Sequence, residues 1–302
     1  MPSLYDARMN AAPDTCLTLR HGPHQVRVAP LAGGRILSWS TALPDGRRDW
    51  LVPITTEDWP AHAWPKGGLF PLAPFSNRVR DASLHWHDGI VLLEPLPGTP
   101  HALHGQAQAM NWTVEQVSDD SATLVLEHPG GIGGWPWAWH LRQTIGLTDS
   151  GLQVGLALEN RDRSNMPAGL GLHPYFTAQS ADLSATTEWV HEQELAQYAQ
   201  PATGGHWERT DATWTHFLSG WDGTASVAWT SGPGLLLRTQ GPLSHMVLHC
   251  NAGRYLCVEP ATHVCDGFNL AATGDAGTGT RVLAPGESLS VGVALDVQPA
   301  PR

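Results

Sequence analysis

Apolar and polar residues in this chain alternate in short runs and almost nowhere recur at helical spacing, and that rhythm restricts the fold more than any other feature. The clearest run is Leu152–Asn160 (LQVGLALEN), which places Leu152, Val154, Leu156 and Leu158 on one face of a strand. Asp149, Ser150 and Gly151 before it are turn formers, so Leu141–Asn160 reads as a hairpin. Similar runs occur at His24–Val28, Thr113–Val117, Ala122–Glu127, Ala225–Trp229, Gly234–Thr239, Ser244–Asn251 and Ser288–Asp296. The best short helical candidate is Glu192–Gln200. With 32 Gly, 24 Pro and only 15% charged residues, turns are plentiful and long surface helices are not expected. The prediction is an all-β chain, a large antiparallel β-sandwich or barrel. No βαβ alternation supports a parallel nucleotide-binding fold. Neither a repeat nor a convincing linker is visible, so residues 1–302 are expected to form one domain.

Charge and composition exclude several function classes. The formal net charge is −11, with no basic run, which argues against nucleic acid and against an anionic membrane surface as partners. No apolar stretch is long enough to span a bilayer, and the N-terminal residues lack the basic-then-apolar pattern of a secretory signal. A cytoplasmic location is therefore expected, with Cys16, Cys250, Cys257 and Cys265 as reduced, half-buried thiols on adjacent strands. Their spacing fits no zinc motif, and no HExxH is present, so no metal is expected; His85 and His87 read as alternating on one strand face. GDAGTG (residues 274–279) lacks the Lys-Ser/Thr of a phosphate loop. Most of the 14 Trp are expected to fill the core.

Four segments carry ionisable groups in apolar or Gly/Pro-rich surroundings. In GGLFPLAPFSNRVR, Pro71 and Pro74 favour extended backbone ahead of Asn77 and Arg78, whose planar donors suit sugar hydroxyls or a carboxylate; a surface cap explains Arg78 equally. In ALHGQAQAMNW, Gly105 lets backbone approach a ligand beside His104, although a turn histidine accounts for it as well. In GLGLHPYF, Pro174 holds His173 extended among aromatic residues, compatible with acid–base work or with a satisfied core histidine. In YLCVEPATHVCDGFNL, Glu259 ends an apolar strand, where an unpartnered carboxylate is costly and hence a functional candidate; a structural hydrogen bond is the plainer reading.

Taken together and in this order, these segments resemble the aldose 1-epimerase (galactose mutarotase-like) family. The resemblance rests on Asn77-Arg78, His104-Gly105, Gly171 to Phe176, and Val258-Glu259-Pro260 with Asn269, and runs from Gly34-Arg35-Ile36 to Leu295. Gly134 to Leu141 (GWPWAWHL), then a hairpin and Asn160, is also similar to the stretch preceding the family's HPYF motif. It implies the family's supersandwich fold and a cofactor-independent reaction, interconversion of sugar anomers by ring opening and reclosure. It implies Glu259 as general base and His173 as general acid, with His104 and Arg78 bonding the sugar and Asn77 positioning that segment. The chain departs from the family in two places. Ala212 to Phe217 (ATWTHF) has no Asp where members usually carry one, leaving Asp211 or Asp222 as substitutes, and Gln106 replaces an aromatic; both bear on which sugar is recognised. The expected partner is a small-molecule sugar, bound by a monomer or homodimer.

Rival readings use the same residues. A hexose-6-phosphate epimerase needs a basic rim, for which Lys66, Arg78 and Arg80 are near one another in sequence. A non-catalytic carbohydrate-binding protein has no use for an acid–base pair. A glycosidase or lyase needs two carboxylates, and one stands out.

Overall fold

The computed structural model describes residues 3–5, 8–10, 15–56 and 58–300. The N-terminal segment read for a leader thus falls partly outside the described residues. Eighteen strands join into one antiparallel sheet that folds over to make a sandwich. In the first layer, Thr113–Val117, Ser121–His128, Trp139–Thr148, Gly151–Asn160, Ser288–Gln298 and Gly234–Gln240 pair in that order. In the second, Leu17–His21, His24–Ala29, Arg35–Leu43, Leu69–Leu72, Gly171–Phe176, Leu256–Ala261 and His245–Cys250 follow one another.

Two long strands, Ser180–Glu192 and Trp214–Ala228, connect the layers. Trp214–Ala228 pairs with His245–Cys250 through its first half and with Gly234–Gln240 through its second. Between the halves the chain turns at Gly220 and Gly223, both at positive φ, opposite a register shift between Leu183 and Ala185. A side chain at Gly220 would put Cβ 2.1 Å from Thr186 Oγ1, so the corner needs glycine.

The alternation expected from sequence is realised in the first layer. Along Trp139–Thr148, Trp139, Leu141, Ile145 and Leu147 point inward and are buried. That strand packs on Leu17–His21 and His24–Ala29 of the second layer. Trp39, Trp50, Trp135 and Trp139 fill the space between. The central strands of the second layer behave differently: Leu69–Leu72, Gly171–Phe176 and Leu256–Ala261 are buried on both faces. Their outer face is covered by loops, and the candidate site is there.

Two sequence expectations are corrected. The helix expected at Glu192–Gln200 is a strand, Leu195–Pro201, which pairs with Ser180–Glu192 across the turn Gln193-Glu194. Strand pairing supplies the backbone hydrogen bonds there and overrides a weak helical preference. His87 lies in the turn between Ser83–Trp86 and Gly89–Leu92, at φ 51°, and does not alternate with His85 on a strand. Among the described residues the α-helix is a single short one, Gly267–Ala272. No helix of the described residues is long and apolar enough to cross a membrane. Cys250, Cys257 and Cys265 are buried free thiols; Cys250 and Cys257 lie on neighbouring strands, whereas Cys265 is in a loop.

Candidate active site

Register sets the site. Gly171–Phe176 pairs with Leu256–Ala261 so that Gly171 faces Ala261 and Tyr175 faces Cys257, which puts His173 opposite Glu259. Phe70 faces His173 on the other side, and Val247 faces Glu259. One cross-strand row therefore reads Phe70, His173, Glu259, Val247. Two residues along, a parallel row reads Tyr175, Cys257, His249, Thr215. Period-two geometry aims both rows at the same face.

On that face His173 Nε2 lies 3.3 Å from Glu259 Oε1. The residues are 6% and 2% exposed. The imidazole packs against both Phe70 and Tyr175, with ring centroids 4.7 and 4.5 Å away. Burial pushes the Glu259 carboxyl up to about 8, opposed by the charge of Arg78. Burial likewise holds His173 well below the usual histidine value, with His104 and Lys66 adding to the effect. At neutral pH the pair thus carries one proton, resting on Glu259. Glu259 Oε2 and His173 Nδ1 have no hydrogen-bond partner among the described residues.

The opposite wall comes from loops following Leu69–Leu72. Ala102-Leu103 pairs with Arg78-Val79, which brings His104 against Asn77. The His104 N–H donates to the Asn77 carbonyl at 2.8 Å, and the Asn77 N–H donates to His104 Nδ1 at 3.2 Å. With Nδ1 accepting, the ring proton of His104 is on Nε2. Burial, then the charges of Arg78, Lys66 and Arg35, hold His104 well below its usual pKa. Both Asn77 and His104 sit at positive φ. Asn77 Oδ1 accepts from the backbone and side chain of Arg78, and Arg78 Nη2 pairs with Glu194.

These groups line a cleft of about 270 Å³ together with Trp64, Lys66, Leu103, Tyr175, Glu194, Thr213, Thr215, Val247, His249, Asn251 and Tyr255. Asn77, Arg78, His104, His173 and Glu259 are therefore brought together as the sequence led us to expect. Asp222 is not with them. It lies exposed in the corner of Trp214–Ala228, between Gly220 and Gly223, and its Oδ1 accepts from the Thr224 N–H at 2.9 Å. The ATWTHF segment does reach the cleft, but with Thr213 and Thr215, the hydroxyl of the latter 2.9 Å from His249 Nδ1. Gln106 is buried outside the cleft lining. Arg80 is turned away and pairs with Asp266.

Several contributors carry no local sequence signal. Glu194 arrives on a hairpin turn, and His249 on the strand that precedes and pairs with the one carrying Glu259. Arg35 is wholly buried beneath Phe70, its guanidinium 4.1 Å from the ring centroid, and burial lowers it to about 10. Cys257 offers a thiol near the catalytic candidates: the ligating atoms of His173, Cys257 and Glu259 lie within 4.8 Å of one another, a donor set able to hold a metal. Burial raises the Cys257 thiol well above its usual pKa, which disfavours the thiolate such a ligand needs.

Comparison with known proteins identifies the family and the fold. The family model for aldose 1-epimerase matches residues 15–222, a stretch that contains His173 and ends before Glu259. The uncharacterised Escherichia coli K12 protein YphB is 26% identical, covering 94% of this chain and 99% of its own. A galactose mutarotase-like protein from Clostridium acetobutylicum superposes with TM-score 0.81 at 17% identity, over 94% of this chain and 95% of that one. The aldose epimerase homologue from C. elegans gives TM-score 0.78 at 15% identity, over 95% and 99%. At such identities the last two establish the shared supersandwich fold.

Proposed function

The chain belongs to the aldose 1-epimerase family, and from that membership we propose that it interconverts the α and β anomers of a free hexose, with Glu259 as base and His173 as acid. The observation that carries the reading is the 3.3 Å separation of His173 Nε2 and Glu259 Oε1 within a sugar-sized cleft.

The oxygens O1 and O5 of a pyranose are both bonded to C1. A base for one and an acid for the other must therefore be near neighbours. Glycosidase carboxylates stand roughly 5 Å or more apart, because they act on opposite sides of the anomeric carbon. In the productive tautomer the shared proton is on His173 and Glu259 is a carboxylate, a distribution favoured by Arg78. Glu259 takes the proton of O1–H as C1=O forms. The C1–O5 bond breaks and its electron pair takes the proton of His173. Rotation about C1–C2 presents the other face of the aldehyde, and reclosure returns both protons. Each such positioned group contributes about 10²–10⁴-fold. Arg78 and the Nε2–H of His104 are donors suited to the charge that develops on the ring oxygen. The neighbouring aromatic rings exclude water from the proton path.

Optical rotation of freshly dissolved α-glucose and α-galactose tests this. The wild type should accelerate equilibration, and Glu259→Gln and His173→Asn should each abolish nearly all of the acceleration. Folded variants with unchanged rates would overturn the assignment.

A sugar bearing an anionic substituent is a second reading, favoured by one observation. Lys66 and Arg254 line a cavity of about 430 Å³ that shares Lys66, Asn251 and Tyr255 with the cleft. Lys66 Nζ lies 4.2 Å from the centroid of the Trp64 ring. A hexose 6-phosphate assayed in parallel distinguishes the two, through a higher kcat/KM for the preferred form.

A further inference from the structure

The hydroxyls of a bound sugar each carry a hydrogen that needs an acceptor once water is displaced. The cleft is rich in donors, from Arg78, His104 and Lys66; neutral acceptors such as Asn251 and Thr213 also line it, and a carboxylate is the stronger acceptor. Asn77 Oδ1 is occupied by Arg78, and Thr215 Oγ1 is engaged with His249. The carboxylates among the lining residues are Glu259 and Glu194. Glu259 is committed to the anomeric centre under the function proposed above, on which this inference rests. Glu194 uses Oε2 to hold Arg78, and its Oε1 makes no hydrogen bond among the described residues.

The backbone is built to put Glu194 there. Glu192 pairs with Leu195, so Gln193 and Glu194 form a two-residue hairpin loop. Both have positive φ, 50° and 63°. That conformation is ordinarily filled by Asn-Gly and costs larger residues about 1 kcal/mol or more each. The Cys265 thiol fastens the turn, donating to the Glu194 carbonyl at 3.3 Å and lying 4.0 Å from the Arg78 carbonyl. Asn-Gly would relieve the strain and would remove the only side chain of this turn that reaches the cleft.

We propose that Glu194 is a specificity-determining residue: anchored by Arg78, it accepts a hydrogen bond from one ring hydroxyl and so selects the sugar by its configuration at that carbon. The Arg78 pair fixes the carboxylate, which lowers the entropy cost of binding.

The test pairs Glu194→Gln with a deoxy series. Mutarotation by wild type and variant is measured on the best hexose and on its 2-, 3- and 4-deoxy analogues, and sugar affinity is followed in parallel by tryptophan fluorescence, Trp64 being in the cleft. The expected result is a loss of about ten- to a hundredfold in kcat/KM on the parent sugar. That loss should vanish on the one analogue lacking the bound hydroxyl. A purely structural role would lower activity equally on every analogue, and that outcome overturns the proposal. So does a variant equal to wild type throughout, while an active wild type leaves the epimerase reading standing. If wild type does not accelerate mutarotation, the epimerase reading fails instead. The fluorescence series then decides the role of Glu194: equal affinities of variant and wild type for every sugar reject it, and a loss confined to sugars bearing one hydroxyl supports it.

Discussion

Glu259 and His173 face each other across neighbouring antiparallel strands, Oε1 to Nε2 3.3 Å, with burial raising the pKa of the first and lowering that of the second. The pair therefore titrates as a unit, and its ends have consequences that can be measured.

The rate should follow a bell in pH. Above about pH 8 the pair loses its proton and no acid remains to protonate the ring oxygen. Well below the usual histidine value the pair gains a second proton and the base is lost. Initial rates of catalysed mutarotation across pH 4–10, corrected for buffer catalysis, check this; a rate that keeps climbing past pH 9 contradicts it.

Arg78 opposes the upward shift of Glu259. Arg78→Ala should therefore raise the carboxyl pKa further and move the alkaline limb to higher pH. It should also lower kcat/KM by roughly 10²-fold, the scale of losing a donor at a developing oxyanion. Arg78→Lys keeps the charge and should leave the limb near its original position while losing the forked donors. Identical limbs in wild type and Arg78→Ala would show that this charge does not act on Glu259.

The same burial makes Glu259 a stability cost. Its unfolded pKa is about 4.3 and its folded value is raised to about 8. Between these pH values the folded state holds a proton that the unfolded state lacks, so stability declines as pH rises through the window and levels off above it. Glu259→Gln does not titrate. It should be more stable than wild type by a margin that opens between pH 5 and pH 8 and reaches at most about a few kcal/mol. Urea midpoints for the two proteins at the two pH values measure it, and a margin that does not change with pH refutes the burial argument.

Gly105 holds His104 in place from behind. It has φ 67°, and a Cβ there would meet the Ala73 carbonyl oxygen at 2.1 Å. Gly105→Ala should cost about 2 kcal/mol or more and depress kcat by displacing His104. Thermal unfolding together with the mutarotation rate reads both effects, and a variant matching wild type in each would contradict the close approach.

Legibility differed between the layers for a physical reason. Trp139–Thr148 and Gly151–Asn160 are core-facing on one side and more open on the other, so alternation is written into their residues. Gly171–Phe176 and Leu256–Ala261 are buried on both faces and show no alternation. What marked them was chemistry out of place, an imidazole and a carboxylate among apolar neighbours. Asp222 misled because nearness in sequence to ATWTHF says nothing about the corner at Gly220, beyond which the strand has left the second layer. Glu194 was invisible because its segment reads as a weak helix, and only pairing with Ser180–Glu192 makes it a turn over the cleft.

Alternation, turn residues and scarce charge were enough, taken along the chain alone, to determine an antiparallel sandwich or barrel, because strand period and turn chemistry are local properties. The spaced motifs were enough to nominate His173, Glu259, Arg78, His104 and Asn77. Which of these meet, at what distance and with whose proton, was decided by register and burial. Those depend on residues as far as 90 positions apart, Gly171 and Ala261, being paired side by side, and on how much water the surrounding layers exclude.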